Sequence, residues 1–192
     1  MLVCLVGVLT VTSALLHALA PDPLSPQASS SLFAIEAPES LDVLFTTPSV
    51  PVNQNRWHYI YIHHSATMAG SAQTLAAESA TGLPDHFVIG NGDGCSDGEI
   101  QIGQRWTQQQ APGLTPGADY IYPDCISICV IGDFNQTRPT PTQQRRLVQL
   151  VGALQDRLHV PGNRVFLNSA NQTAAGIGRF FPAHELQSQL LP

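Results

Sequence analysis

The run Trp57-His58-Tyr59-Ile60-Tyr61-Ile62-His63-His64-Ser65-Ala66-Thr67 constrains this chain more than any other segment. Aromatic and β-branched residues alternate through it, which predicts a strand over 57–64. Strand alternation then puts Trp57, Tyr59, Tyr61 and His63 on one face and His58, Ile60, Ile62 and His64 on the other. The two adjacent histidines therefore point to opposite sides of a sheet. A single metal ion can use only one of them easily, so the chemistry open to His63 depends on what meets it in space.

The segments that follow alternate between helix and strand patterns. Residues 71–80 hold good helix formers and end at Gly82 and Pro84. His86-Phe87-Val88-Ile89-Gly90 reads as a second strand, and Asn91-Gly92-Asp93-Gly94 is a hairpin-type turn into a third at 99–103. Residues 107–124 read as a long loop with three prolines, and Ile126 to Gly132 as the central buried strand. Thr140-Pro141-Thr142-Gln143 combines an N-cap hydroxyl, proline at the first helical position and glutamine where a capping box requires it. Leu147, Leu150, Val151, Leu154 and Leu158 then recur at helical spacing, until Pro161-Gly162 stops the helix. A short strand at 164–167 and a last helix from Ala183 to Leu190 complete a mixed α/β domain.

Upstream, residues 21–55 are rich in Pro, Ser and Ala and read as a linker. Within them Leu32-Phe33-Ala34-Ile35 and Val43-Leu44-Phe45 are apolar enough to pack against the domain, which is expected to begin near Arg56 and run to 192 as a single unit. Residues 1–20 carry no charge and end in Ala18-Leu19-Ala20 before Pro21, the pattern of an export signal or N-terminal anchor. A basic n-region is missing, since the first positive residue is Arg56. The expected location is periplasmic or extracellular, with membrane attachment only through an uncleaved 1–20 segment.

Composition narrows the partners. The chain has 192 residues, 43% hydrophobic and 11% charged, with a net charge of −6. All eight basic residues are arginines, and no basic stripe exists to neutralise phosphates, so nucleic acid is excluded as a partner. Of four cysteines, Cys4 lies in the apolar leader. Cys95 and Cys125 lie in loop-like sequence and can form a bridge, while Cys129 reads as a small core residue of the central strand.

Several motifs in order carry a resemblance. Trp57-x2-Ile60-x-Ile62-His63-His64-Ser65-Ala66-Thr67, His86-Phe87-Val88-Ile89-Gly90-Asn91-Gly92, Asp97-Gly98-Glu99-Ile100 and Gly103-x-Arg105-Trp106 are followed by Ile126-x-Ile128-Cys129-Val130-Ile131-Gly132-Asp133-Phe134, Pro139-Thr140-x2-Gln143 and Gly178-Arg179-x-Phe181-Pro182. Together they resemble the zinc N-acetylmuramoyl-L-alanine amidases, whose fold is shared with peptidoglycan recognition proteins. The resemblance implies a mixed central β-sheet flanked by helices, and a site for the glycan–peptide junction of peptidoglycan. It also implies a zinc ion held by two histidines and a cysteine, with water in the fourth position.

Residue by residue, His63 matches the first zinc ligand. Counting back from Gly178-Arg179 places Gly176 at the cysteine ligand, Asn168 at the second histidine and Ala174 at the helper threonine or lysine. Asp85 stands at the helper tyrosine. Two of three ligands and both helpers are replaced, so the first reading is a muropeptide-binding domain that has lost hydrolysis and needs no cofactor. The second is an active amidase with a rearranged zinc site, in which Asp85 offers an oxygen beside His63 and Asn168 a weak carbonyl. The third is an interaction domain without glycan affinity. Residues His63, Asp85, Trp106 and Arg179 are the substrate-contact candidates. Tyr59 can likewise line a sugar groove, and Arg105 can pair with a peptide carboxylate, as can Arg179, which otherwise braces the final turn. His58 and His184 read as surface residues, and Asn135 and Asn171 sit in glycosylation triplets.

Overall fold

A computed structural model describes residues 33–35, 40–113, 122–167 and 177–190. The described elements are β1 (Phe33–Ile35), α1 (Val43–Thr46), β2 (Tyr59–His64), α2 (Ala72–Glu78), β3 (Phe87–Ile89), β4 (Ile100–Ile102), α3 (Gln104–Thr107), β5 (Cys125–Val130), α4 (Pro141–Leu158), β6 (Val165–Leu167) and α5 (Ala183–Gln187). The strands form one six-stranded sheet in the order β1-β4-β3-β5-β2-β6. β5 lies between β2 and β3 and runs parallel to both, and β6 is parallel to β2. β4 is antiparallel to β3 and to β1. The sheet is therefore mixed, as the strand and hairpin signals predict.

Burial on both faces explains the apolar run of β5, all six of whose residues are buried. On one face Ile60, Ile62, Phe87, Ile89, Ile126 and Ile128 pack in one cluster with Leu147, Leu150, Val151 and Leu154 of α4. On the other, Val88, Cys129 and Ile131 pack with Ala72, Leu75 and Ala76 of α2. Both helices start where the sequence marks them. Ser71 and Thr74 form a capping box on α2, and Thr140 and Gln143 form one on α4, with Pro141 in its first turn. The Gln143 side chain also donates to the Ile131 carbonyl at 2.8 Å, tying α4 to the end of β5.

The Gly178 position of the last motif is a matter of space. Its φ is +121°, and an added Cβ would lie 2.6 Å from the backbone carbon of Phe134. Only glycine lets the 177–182 segment lie against the turn after β5.

Four expectations need correcting. The 21–55 linker contributes two elements: β1 pairs with β4, and α1 buries Leu44 completely, so the compact fold starts before Arg56. Regular alternation begins only at Tyr59, so Trp57 leaves the His63 face and packs in the main core against Trp106 and His86. The loop expected from 107 is preceded by the short helix α3, whose Arg105 bonds the carbonyls of Leu83 and Ala111 at 3.0 and 2.9 Å and so serves the fold. Finally, Cys95 and Cys125 are both free. Cys95 follows the C-terminal end of β3 and Cys125 begins the parallel β5, so they stand at opposite ends of the sheet.

Candidate functional site

The parallel pairing of β2 with β5 sets the site. Ile60 lies opposite Ile126, Ile62 opposite Ile128, and His63 opposite Cys129, which in turn lies opposite Val88 of β3. In adjacent parallel strands, residues in register share a face. His63 and Cys129 therefore lean out on the same side of the sheet, the side covered by α2. Asp85 comes from the segment entering β3, where the chain is not yet regular strand and its side chain turns to that same side.

His63 Nε2 lies 2.7 Å from Asp85 Oδ1, and His63 Nδ1 lies 3.2 Å from the His64 carbonyl oxygen. Ser127 Oγ–H donates to the same Asp85 oxygen in a short hydrogen bond. One ligand atom from each of His63, Asp85 and Cys129 lies within 4.8 Å of the others. The three residues are 5%, 1% and 1% exposed, so the cluster is buried. Tyr61 extends it along β2, its ring 5.6 Å from that of His63.

Electrostatics follow from that burial. Burial opposes a charged His63, but the Asp85 charge, its hydrogen bond and the His64 carbonyl outweigh it and raise the His63 pKa above 6.5. Burial, and then the Asp85 charge, push the Cys129 thiol well above its ordinary value. The Asp85 carboxylate thus favours the charged form of the imidazole, and the thiol beside them is held neutral.

The remaining histidines face elsewhere. His64 stacks on Phe134, with its Nδ1 3.2 Å from the Phe134 nitrogen, on the opposite side of β2 from His63. His86 accepts the Ser127 N–H at Nδ1 (3.0 Å) and donates from Nε2 to the Gln110 carbonyl (2.9 Å). Its ring thus takes a ladder hydrogen bond that a strand carbonyl would otherwise make. Burial lowers the His86 pKa to about 4 and keeps it neutral. His58 pairs with Asp124 at 3.0 Å, half exposed, and His184 is exposed.

Of the sequence candidates, His63 and Asp85 meet. Asn168, Ala174 and Gly176 lie outside the described residues, as do Asn171 and residues 1–20. Trp106 is corrected: it is fully buried and its indole N–H donates to the Leu44 carbonyl at 2.7 Å, which leaves no face for a sugar. Arg179 is exposed; its Nε–H donates to the Asn135 carbonyl at 2.8 Å and its guanidinium lies 4.7 Å from the Phe180 ring centre. Tyr59 stacks between Tyr122 and Phe166 at 5.0 and 5.8 Å. Sequence reading missed Cys129 as a partner of His63. The signal was present, because Ile60-x-Ile62-His63 and Ile126-x-Ile128-Cys129 have the same spacing, and pairing their isoleucines juxtaposes the two.

The set of one imidazole nitrogen, one carboxylate oxygen and one thiol sulfur is a donor set that suits zinc. His63 would present Nε2 with Nδ1 oriented by the His64 carbonyl, and Ser127 would hold Asp85 in place.

Residues 53–181 match the family model described as N-acetylmuramoyl-L-alanine amidase. No curated protein sequence matches the chain. Among solved structures, the N-acetylmuramoyl-L-alanine amidase LysC from Clostridium intestinale is similar, with 19% identity and a TM-score of 0.53 over 74% of this chain and 91% of that one. Human PGRP-IBETAC, solved in complex with glycosamyl muramyl pentapeptide, is similar at 14% identity and a TM-score of 0.48, over 67% and 81% of the two chains.

Proposed function

Because the chain belongs to the N-acetylmuramoyl-L-alanine amidase family, we propose that it is an exported domain that binds the glycan–peptide junction of peptidoglycan and does not hydrolyse it. The observation that carries the second half is Asp85. Amide hydrolysis builds negative charge on the carbonyl oxygen, which hydrogen-bond donors stabilise. At the helper position this chain carries a carboxylate that accepts hydrogen bonds from His63 and Ser127. An acceptor there has the wrong polarity for an oxyanion. It also occupies His63 Nε2 at 2.7 Å, and the 1% exposure of Asp85 leaves a polymeric substrate little access to it. The family supports peptidoglycan as partner, and the uncharged 1–20 segment supports export.

A second reading, an active amidase with a rearranged metal site, is favoured by Cys129 lying beside His63 and Asp85. Zinc, when bound, polarises a scissile carbonyl and lowers the pKa of its water. One experiment separates the two readings. The full chain is titrated with a muropeptide and, in parallel, incubated with peptidoglycan and zinc. Saturable binding without released peptide is expected. Zinc-dependent release of peptide would replace the first reading with the second, and absence of muropeptide binding would leave an interaction domain.

A further inference from the structure

We propose that His63, Asp85 and Cys129 form a zinc(II) site in which the cysteine comes from the central strand β5 and the carboxylate from the segment entering β3. Neither donor lies in the 168–176 region to which the sequence resemblance assigns the second histidine and the cysteine. The three donor atoms lie within 4.8 Å of one another on one side of the sheet. Ordinary zinc bond lengths place tetrahedral donors about 3.3–3.7 Å apart. Closing the cluster onto an ion therefore takes side-chain shifts on the order of 1 Å, with the His63–Asp85 contact opening from 2.7 Å.

Three features distinguish this from an accidental grouping. His63 and Cys129 sit in register on neighbouring strands held by continuous backbone pairing, and Asp85 lies two residues before β3, which pairs with the other side of β5. Two of them are already oriented by outer partners, His63 by the His64 carbonyl and Asp85 by the Ser127 hydroxyl. All three are buried, where a carboxylate needs a cation beside it. Zinc would displace the protons from the Cys129 thiol and from His63 Nε2, and the resulting thiolate and carboxylate balance its two charges. The inference goes beyond the muropeptide reading and does not depend on it.

The test uses the full chain and the metal alone. After loading with Zn(II) and exhaustive dialysis, elemental analysis is expected to find about one zinc per chain. Replacing it with Co(II) should give a thiolate-to-cobalt charge-transfer band in the near ultraviolet. This wild-type readout needs no variant to fold. Cys129→Ser should abolish the band, whereas Cys95→Ser and Cys125→Ser should keep it. Asp85→Asn and His63→Ala should each weaken zinc by ~100-fold or more, since even outer-partner changes cost 10–100-fold. Failure to retain zinc, cobalt binding without the thiolate band, or equal retention by Cys129→Ser and Asp85→Asn would each overturn the proposal. A protein that holds zinc without binding muropeptide would sink the functional reading and leave this one standing.

Discussion

His86 is fully buried, with Nδ1 accepting the Ser127 N–H and Nε2–H donating to Gln110, so a second ring proton would meet a donor. Its folded pKa, about 4, lies below the ordinary 6.5. The unfolded chain therefore binds more protons between those values, and this contribution is complete above pH 6.5 and lost as pH falls towards 4. The shift corresponds to about 3 kcal/mol. His63 behaves in the opposite sense. Its folded pKa is raised, so its pairing with Asp85 stabilises fully below pH 6.5 and is lost as pH rises through the folded value. For the metal-free protein, urea unfolding across pH 4–9 should show a maximum near pH 6.5. His63→Gln should flatten the alkaline limb and spare the acid one. A wild-type profile that keeps rising above pH 8 would contradict the His63–Asp85 pairing.

α4 is held at its start by a single side chain with three tasks. Gln143 Oε1 accepts the Thr140 N–H at 3.0 Å, while Nε2 donates to Ile131 at 2.8 Å and to Ile89 at 3.3 Å, joining the helix to β5 and β3. Thr140→Ala removes the cap and an exposed hydroxyl bond to Asp97, and should cost about 1 kcal/mol. Gln143→Ala removes the reciprocal cap bond and takes the side-chain donor from the Ile131 carbonyl, while the Ile89 carbonyl keeps the Ile131 N–H, at about 1–3 kcal/mol more. Thermal or urea unfolding compares them directly. Equal costs would show that the link between helix and sheet carries no energy.

In the whole molecule, the segment before β2 belongs to the packed body. Leu44 is fully buried, its carbonyl accepts the Trp106 indole, and Phe45 meets Trp106 edge-on at 6.2 Å. Arg157 at the end of α4 pairs with Asp42 at 2.6 Å and lies 5.0 Å from the Phe45 ring centre. Leu44→Ala should therefore destabilise by about 2–5 kcal/mol, the cost of a core leucine. A linker residue would cost within about 0.5 kcal/mol, and a urea midpoint that moves no more than that would place 40–55 outside the fold. Among the described residues no helix is long and apolar enough to cross a membrane.

The sequence by itself determined the order of the strands β2 to β6 and of the helices α2, α4 and α5, the cap of α4, and the separation of His63 from His64. Periods of two and 3.6 residues and capping chemistry are local, and distant contacts override them only at the edges, as where Trp57 packs against Trp106 and His86. It also singled out His63 and Asp85 by motif position. Only the tertiary structure decided that Cys129 stands beside them, that Trp57 and Trp106 lie in the core, and that Leu44 and Phe33–Ile35 belong with the domain. Those contacts join residues dozens of positions apart, and strand pairing, which local composition does not encode, brings them together. His63 and Cys129 are 66 positions apart, and what makes them neighbours is the parallel register of β2 and β5.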